Sequence, residues 1–301
     1  MGAHALITVG IAAFEEEQIL ARALDRLTSL RYPDEFEIVV VAGGRDGTIQ
    51  LAESYAQSCR AVHVIAEDKR RGKPWALNRI LSTARGEIIV LTDADVVIAE
   101  DAVAKLVAPF QDRRIGATCG RIVPLNNRAG LYGFWAHFLC EAAHDLRMYA
   151  RGRRRLFHLT GYIYAVRRGI VERIPENSLA EDAMVGLMVR RRGYEIEYVS
   201  EATAFVMFPE NLRDLLRQKT RTRAGLIQLP LNLSQLRELM ADEFYFGLLK
   251  GLRFCRSLRE LLYFLVLSAF WRFVWVQGFW ELKIKRRSPL EIWTLTHRPG
   301  D

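Results

Sequence analysis

The chain is poor in cysteine. Its four, Cys59, Cys119, Cys140 and Cys255, are scattered through 301 residues with no C-x-x-C pair. That excludes a zinc-ribbon pattern and a disulfide framework, and makes a reducing compartment the expectation. Internal repeats and low-complexity linkers are also lacking, so nothing marks off separate modules before about Gly225. At the amino end no basic segment leads into an apolar stretch and a cleavage site, and no secretory signal is expected. Two phosphate-binding signatures are missing as well. The stretch Arg71–Asn78 is not a Walker A loop, because Glu67 stands where a glycine is needed and Pro74 where a hydroxyl should follow Lys73. Val40–Thr48 does not carry the spacing G-x-G-x-x-G. His137 and His144 fall two turns apart on an expected helix with no third ligand candidate, so no metal site is read there. His158 reads as a packed, hydrogen-bonded side chain.

What is present is the material of a large core. Half the residues are hydrophobic and 26% are charged, with a formal net charge of +8 and a pI near 9.5. Such a balance suits nucleic acid, an anionic membrane or a phosphate-bearing substrate, and charge alone does not choose among them. The run Arg151, Arg153, Arg154, Arg155 has no interleaved stacking aromatics, and nucleic acid is not expected as a partner. From Leu6 to about Val97, short β-rich runs (Leu6–Ile11, Glu37–Val41, Ala61–Ile65, Glu87–Leu91) alternate with amphipathic stretches (Glu16–Leu30, Asp46–Gln57, Lys73–Ala84). This βαβα order predicts a parallel, doubly wound sheet. A second block, with strands at Ala117–Val123 and Tyr162–Val166 and a helix over Leu131–Tyr149, reads as the other half of one mixed sheet. The expected organisation is a catalytic domain over 1–225 and a helical region over 226–301.

Within that last region, Leu261–Trp271 is apolar apart from Tyr263 and Ser268. Arg272 interrupts the run, Phe273–Val276 resumes it, and Lys283, Lys285, Arg286 and Arg287 follow. A spanning helix needs ~20 apolar residues, and a mid-run arginine costs about 2.5–3.5 kcal/mol. Trp271, Trp275, Phe279 and Trp280 recur at helical spacing, and indoles favour the headgroup boundary. The expectation is a membrane-associated helix that lies in the interface or crosses once, against a plain core or dimer helix.

The chemistry concentrates in five places. Ile88–Leu91 reads as a buried strand ending in Asp93 and Asp95, which alternation places on one side; such a pair at the carboxyl end of a parallel strand calls for a cation or hydrogen-bond donors. Lys73, after Gly72 at a helix start, makes an anion site or a solvated charge. Gly43 and Gly44 lead into a helix capped by Asp46 or Thr48. Glu181 and Asp182 open the helical stretch Ala183–Arg192, as caps or as a general base. Gln218 and Arg221 stand one turn apart on a basic face, solvated or gripping an anion.

In order and spacing these elements resemble family 2 glycosyltransferases of the GT-A fold, over roughly Leu6 to Gly225. Ala12-Ala13-Phe14-Glu15-Glu16 resembles the family's P-A-Y-N-E opening, Gly72-Lys73 with Ala76-Leu77-Asn78 its G-K-x-x-A-L-N, and Asp93-Ala94-Asp95 its D-x-D. Glu181-Asp182 resembles its T-E-D and Gln218-x-x-Arg221 its Q-x-x-R-W. The resemblance implies a Rossmann-like, mostly parallel mixed sheet flanked by helices. It also implies inverting transfer from a nucleoside-diphosphate-sugar, UDP ahead of GDP, to a lipid-linked or saccharide acceptor at the cytoplasmic face of a membrane. Mn2+ or Mg2+ would sit on Asp93 and Asp95, and Asp182 would be the base, tuned by Glu181. Donor contacts would come from Ala12, Phe14, Glu16, Asp46, Lys73, Asn78, Asp93, Gln218 and Arg221. Val41 and Ala42 replace the family's acidic pair after the second strand, and Thr222 its tryptophan, which favours single addition over processive synthesis. The alternatives are a degenerate docking protein and a sugar-nucleotide pyrophosphorylase, whose glycine- and arginine-rich opening loop is absent.

Overall fold

The computed structural model describes residues 6–30, 36–152, 158–288 and 291–292. By compactness the chain forms two units, one made of Met1–Ile122, Arg154–Glu176 and Glu181–Val206, the other of Val123–Arg153, Asn177–Ala180 and Met207–Asp301. This partition is interleaved in sequence.

The first unit is built on one mixed sheet. Strands β1 (Ile7–Phe14), β2 (Phe36–Gly43), β3 (Val62–Glu67) and β4 (Ile88–Asp93) are its parallel part. They alternate with helices α1 (Glu17–Thr28), α2 (Thr48–Ser58) and α3 (Lys73–Thr83). Each lies within a few residues of the run or stretch read from the sequence. β2 carries Ile38-Val39-Val40-Val41, all fully buried, the β-branched composition of a strand covered on both faces. Helix α1 turns Leu20, Leu24 and Leu27 inward, each worth about 1.5–3 kcal/mol of burial.

Four further strands complete the sheet: β5 (Val97–Ile98), β6 (Ile115–Pro124), β7 (Ile163–Arg167) and β8 (Glu195–Val206), with α4 (Ala102–Val107) between β5 and β6. The strand order is β3, β2, β1, β4, β7, β6, β8, β5. β7 runs antiparallel to both β4 and β6, and β5 antiparallel to β8. β8 escapes a reading by apolar runs because Glu195, Glu197 and Glu201 punctuate it. Helix α6 (Glu181–Arg191) belongs to the same unit.

The second unit holds helices α5 (Leu131–Gly152), α7 (Leu212–Gln228), α8 (Leu233–Phe254) and α9 (Leu258–Phe279), α9 running on into a π-helical turn, Trp280–Ile284. Side-chain caps start three of them: Asn211 accepts from Asp214 N, Asn232 from Gln235 N and Ser257 from Glu260 N. Phe134, Trp135 and Phe138 of α5 pack with Leu215 of α7 and with Phe264 and Leu267 of α9. Arg223 of α7 is buried between the indoles of Trp271 and Trp275, 4.4 and 4.8 Å from their centroids, and pairs with Glu243 at 2.8 Å. Two of the indoles expected at a headgroup boundary therefore serve as the walls around an arginine instead. In the basic run, Arg153, Arg154 and Arg155 lie outside the described residues.

Candidate active site

The parallel strands of the first unit end together. Register pairs Ala12 of β1 with Asp93 of β4, and Phe14 of β1 with Gly43 of β2. Beyond β1 the chain turns sharply: Glu15 takes φ 58° and donates its N–H to Gly43 O at 3.0 Å. Glu16 N donates to Thr48 Oγ1 at 2.8 Å, delivering the Glu16 carboxyl to the sheet's edge. Burial, then Asp95 and Asp93, push that carboxyl up to about 8, with Lys73 pulling the other way. Glu16, Asp93, Asp95 and Lys73 thus share one electrostatic neighbourhood.

Strand β4 stops at Asp93, whose carbonyl accepts from Val96 N at 3.3 Å to close a turn. The strand alternation expected to align Asp93 with Asp95 therefore does not reach Asp95, which is exposed in the turn, while Asp93 is partly buried. Asp93 is also engaged. Lys73 Nζ lies 2.7 Å from Asp93 Oδ1 and 2.9 Å from Glu181 Oε1. Gly72, at φ +94°, reverses the chain so that Lys73 and Pro74 open α3. Burial alone would lower the ammonium's pKa, but Asp93 and Glu181 raise it well above the ordinary value. In the structure Lys73 is not a solvated charge but an ion-paired bridge between Asp93 and Glu181.

Glu181 is the first residue of α6, and Asp182 follows with Oδ1 accepting from Ala183 N at 2.8 Å. A methyl group on Gly161 would stand 3.2 Å from Asp182 Oδ2, so glycine there lets the coil pass close to the carboxylate. The sequence reading missed Tyr164. Its ring is buried in β7, its hydroxyl makes no hydrogen bond, and burial raises its pKa well above normal, with Lys73, Glu181, Asp182 and Asp93 all in electrostatic range. A tyrosine inside the apolar run Ile163–Val166 was the available signal.

Two of the residues expected to contact the donor also make hydrogen bonds within the fold. Asn78 donates Nδ2 to Ile174 O at 2.8 Å and accepts from Ile174 N at 2.7 Å, matching a side-chain amide to a peptide. Asp46 accepts from Thr48 N, Thr48 Oγ1 and Glu17 N at 3.1, 2.6 and 3.3 Å, tying the starts of α1 and α2. Burial would raise its pKa, but these bonds hold it below the usual range. Phe14 lies under Arg70, 5.1 Å from the ring centroid. Gln218 and Arg221 are on α7 in the second unit, where Thr222 Oγ1 donates to Gln218 O at 3.0 Å. His137 Nε2 sits 2.9 Å from Asn126 O.

Among the described residues no group of three His, Cys, Asp or Glu is arranged to hold a metal ion. The donor set is nonetheless of the hard-oxygen kind: Asp95, Asp93 and Glu16 present carboxylate oxygens, and burial first, then the charges of Asp95 and Asp93, keeps Glu16 protonated near neutrality, a preference that a cation would offset.

Residues 4–225 match the family described as "Glycosyltransferase like family 2". The chain belongs to that family. Among curated relatives it is 28% identical over 233 residues to the probable glycosyltransferase YdaM of Bacillus subtilis (strain 168), covering 73% of this chain and 54% of the relative. It is 27% identical over 228 residues to an N-acetylglucosaminyltransferase of Bradyrhizobium diazoefficiens, covering 69% of this chain and 46% of the relative. The chain thus spans about half the length of the curated relatives it matches. Among solved structures, a mannosyltransferase from Pyrobaculum calidifontis in complex with GDP-Man and Mn2+ superposes with TM-score 0.62 at 21% identity, covering 96% of this chain and 83% of that one. Glucosyl-3-phosphoglycerate synthase from Mycobacterium tuberculosis, in complex with Mn2+, UDP and phosphoglyceric acid, superposes with TM-score 0.54 at 20% identity, covering 76% and 81%. These likenesses establish the GT-A fold.

Proposed function

We propose that this family member transfers a sugar from a nucleoside-diphosphate-sugar to an acceptor hydroxyl with inversion at the anomeric carbon. The observation that carries the proposal is the gathering, within one unit, of Glu16, Asp93, Asp95, Lys73, Glu181 and Asp182 at the carboxyl edge of the sheet. Asp182 takes the acceptor hydroxyl proton, the oxygen attacks the anomeric carbon, and the bond from that carbon to the diphosphate oxygen breaks. Mn2+ or Mg2+, held by Asp95 with Glu16 and Asp93, would supply neutralisation of charge on the departing diphosphate. Phe14 packs toward the donor. Ala12 and Asp46 contribute strand and loop geometry rather than new charge, and the roles of Gln218 and Arg221 on donor phosphate are assigned from their motif alone. Val41 and Ala42 carry no carboxyl to offer the base, and UDP is placed ahead of GDP on the family likeness only.

The acceptor class proposed is lipid-linked or saccharide, at a membrane surface. Helix α9, with the turn that follows it, is the one element among the described residues long and apolar enough to cross a bilayer, and 22% of its apolar window is buried. Phe264, Leu267, Val274 and Gly278 form its inward stripe, whereas Leu262, Leu265, Phe273 and Val276 are exposed. Its inward face carries Arg223 of the charged helix α7. Crossing would draw that arginine into hydrocarbon at a cost of about 2.5–3.5 kcal/mol or more. Lying flat leaves Arg223 in place and offers the outer stripe, with exposed Lys283, Lys285 and Arg286, to anionic lipid. An in-plane helix is therefore favoured over a spanning one.

The test is a thermal-shift titration of UDP- and GDP-sugars with and without Mn2+. Metal-dependent stabilisation by one donor supports the reading; no stabilisation by any donor overturns it.

A further inference from the structure

A lysine at the first residue of a helix is badly placed electrostatically. The partial positive charge of the helix N-terminus repels it, and Lys73 is largely buried besides. Two carboxylates from separate elements hold it there: Asp93 at the end of β4, 2.7 Å away, and Glu181 at the start of α6, 2.9 Å away. Both contacts are at charge-assisted hydrogen-bond length, with Lys73 and Glu181 largely and Asp93 partly shielded from bulk water.

The consequence falls on the neighbour. Asp93 is fixed in register beside Ala12 in the sheet, so the chain Asp93–Lys73–Glu181 transmits the sheet's position to the first turn of α6. Asp182 is the next residue. Its Oδ1 is held by Ala183 N, and its Oδ2 faces the bare backbone of Gly161. Lys73 pins one side of this turn and Gly161 limits the other.

We propose that Lys73 is a positioning residue that aims Asp182 by clamping Glu181 to Asp93, a role distinct from the phosphate contact its motif implies. The proposal rests on the reading of Asp182 as the base. The alternative phosphate role makes a different prediction, because a lost phosphate contact weakens donor binding, whereas a mis-aimed base slows turnover and leaves donor binding intact.

The experiment uses the full chain, with turnover measured on the sugar donor the wild type accepts and UDP affinity measured by calorimetry with Mn2+. Lys73→Met should lower kcat about 10²-fold, the penalty for misplacing a reacting group by around 1 Å, with the UDP Kd unchanged. Because Lys73→Met removes the ammonium that Asp93 and Glu181 share and can fail to fold, Glu181→Gln and Glu181→Ala form the second arm. Glutamine keeps an acceptor for Lys73 Nζ and should retain most of the turnover; alanine, which keeps the Lys73–Asp93 pair but cuts the clamp, should lose it with the UDP Kd again unchanged. A UDP Kd that rises in step with the loss in Lys73→Met, or equal turnover in the two Glu181 variants, overturns the proposal. A wild type silent with every UDP- and GDP-sugar is a different result, and refutes the reading of Asp182 itself.

Discussion

Ala12 and Asp93 are register partners across β1 and β4, side by side where two parallel strands end. That pairing brings the segment after β1, with Glu16, to the same edge as the D-x-D. Its electrostatic result is a Glu16 carboxyl pushed up to about 8 by burial and then by Asp95 and Asp93. Between the ordinary 4.5 and about 8, the folded chain holds a proton that the unfolded chain has shed, so this group makes stability fall as pH rises through that window. A divalent cation reverses the preference and expels the proton. Mn2+ affinity should therefore increase from about pH 6 to pH 8, with release of close to one proton per ion, measured by calorimetry in two buffers of different ionisation enthalpy. Glu16→Gln should abolish the proton release. Affinity that is flat across this range would contradict the assignment.

Glu37 gives the opposite pH signature. It accepts from Thr8 Oγ1 at 2.7 Å, Arg85 N at 2.7 Å and Arg85 Nε at 2.6 Å. Burial works to raise its pKa, but these donors outweigh it and hold the carboxyl below its usual 4.5. Its contribution is thus fully present above that value and is lost as pH falls through the depressed one. Glu37→Gln should cost about 1–3 kcal/mol at neutral pH, and chemical denaturation as a function of pH should show the gap closing in acid. A gap that widens in acid would refute this.

Asn78 is predicted to matter for stability rather than for donor binding. Its paired bonds to Ile174 fix the coil that follows β7. Asn78→Ala should destabilise by about 1–3 kcal/mol by leaving a buried peptide unpaired, while UDP affinity with Mn2+ stays at the wild-type value. Weakened UDP binding at unchanged stability would restore Asn78 to the donor site.

For the outer stripe of α9, flotation with vesicles containing phosphatidylglycerol should carry the protein upward, and pure phosphatidylcholine should do so weakly. Replacing Leu262, Leu265 and Phe273 with serine should abolish flotation without lowering Tm, because these side chains are exposed. Vesicle binding that survives the triple replacement would place the contact elsewhere.

The amino-terminal half of the sheet was legible because β-branched runs and amphipathic helices alternate from Leu6 to Asp93, and the runs of β1, β2 and β4 lie buried while edge strand β3 is half-buried. Glu181 and Asp182 were legible as a pair of acids opening a helix. The partners of Lys73 were not, since an ion pair between the starts of α3 and α6 arises only when the sheet closes. The clasp of Asn78 on Ile174 was hidden for a related reason: the peptide it pairs with lies nearly a hundred residues along the chain. The place of Arg223 was not legible either, because its indole walls come from a helix far along the chain. Register geometry beyond Asp93 failed as a guide because the strand gives way to a turn there.

The most direct test of the central claim is the Asp182→Asn variant, assayed for sugar transfer and for UDP binding in the presence of Mn2+. The account predicts transfer reduced by ~10²–10⁴-fold with UDP bound as tightly as by the wild type. Transfer at the wild-type rate would contradict it.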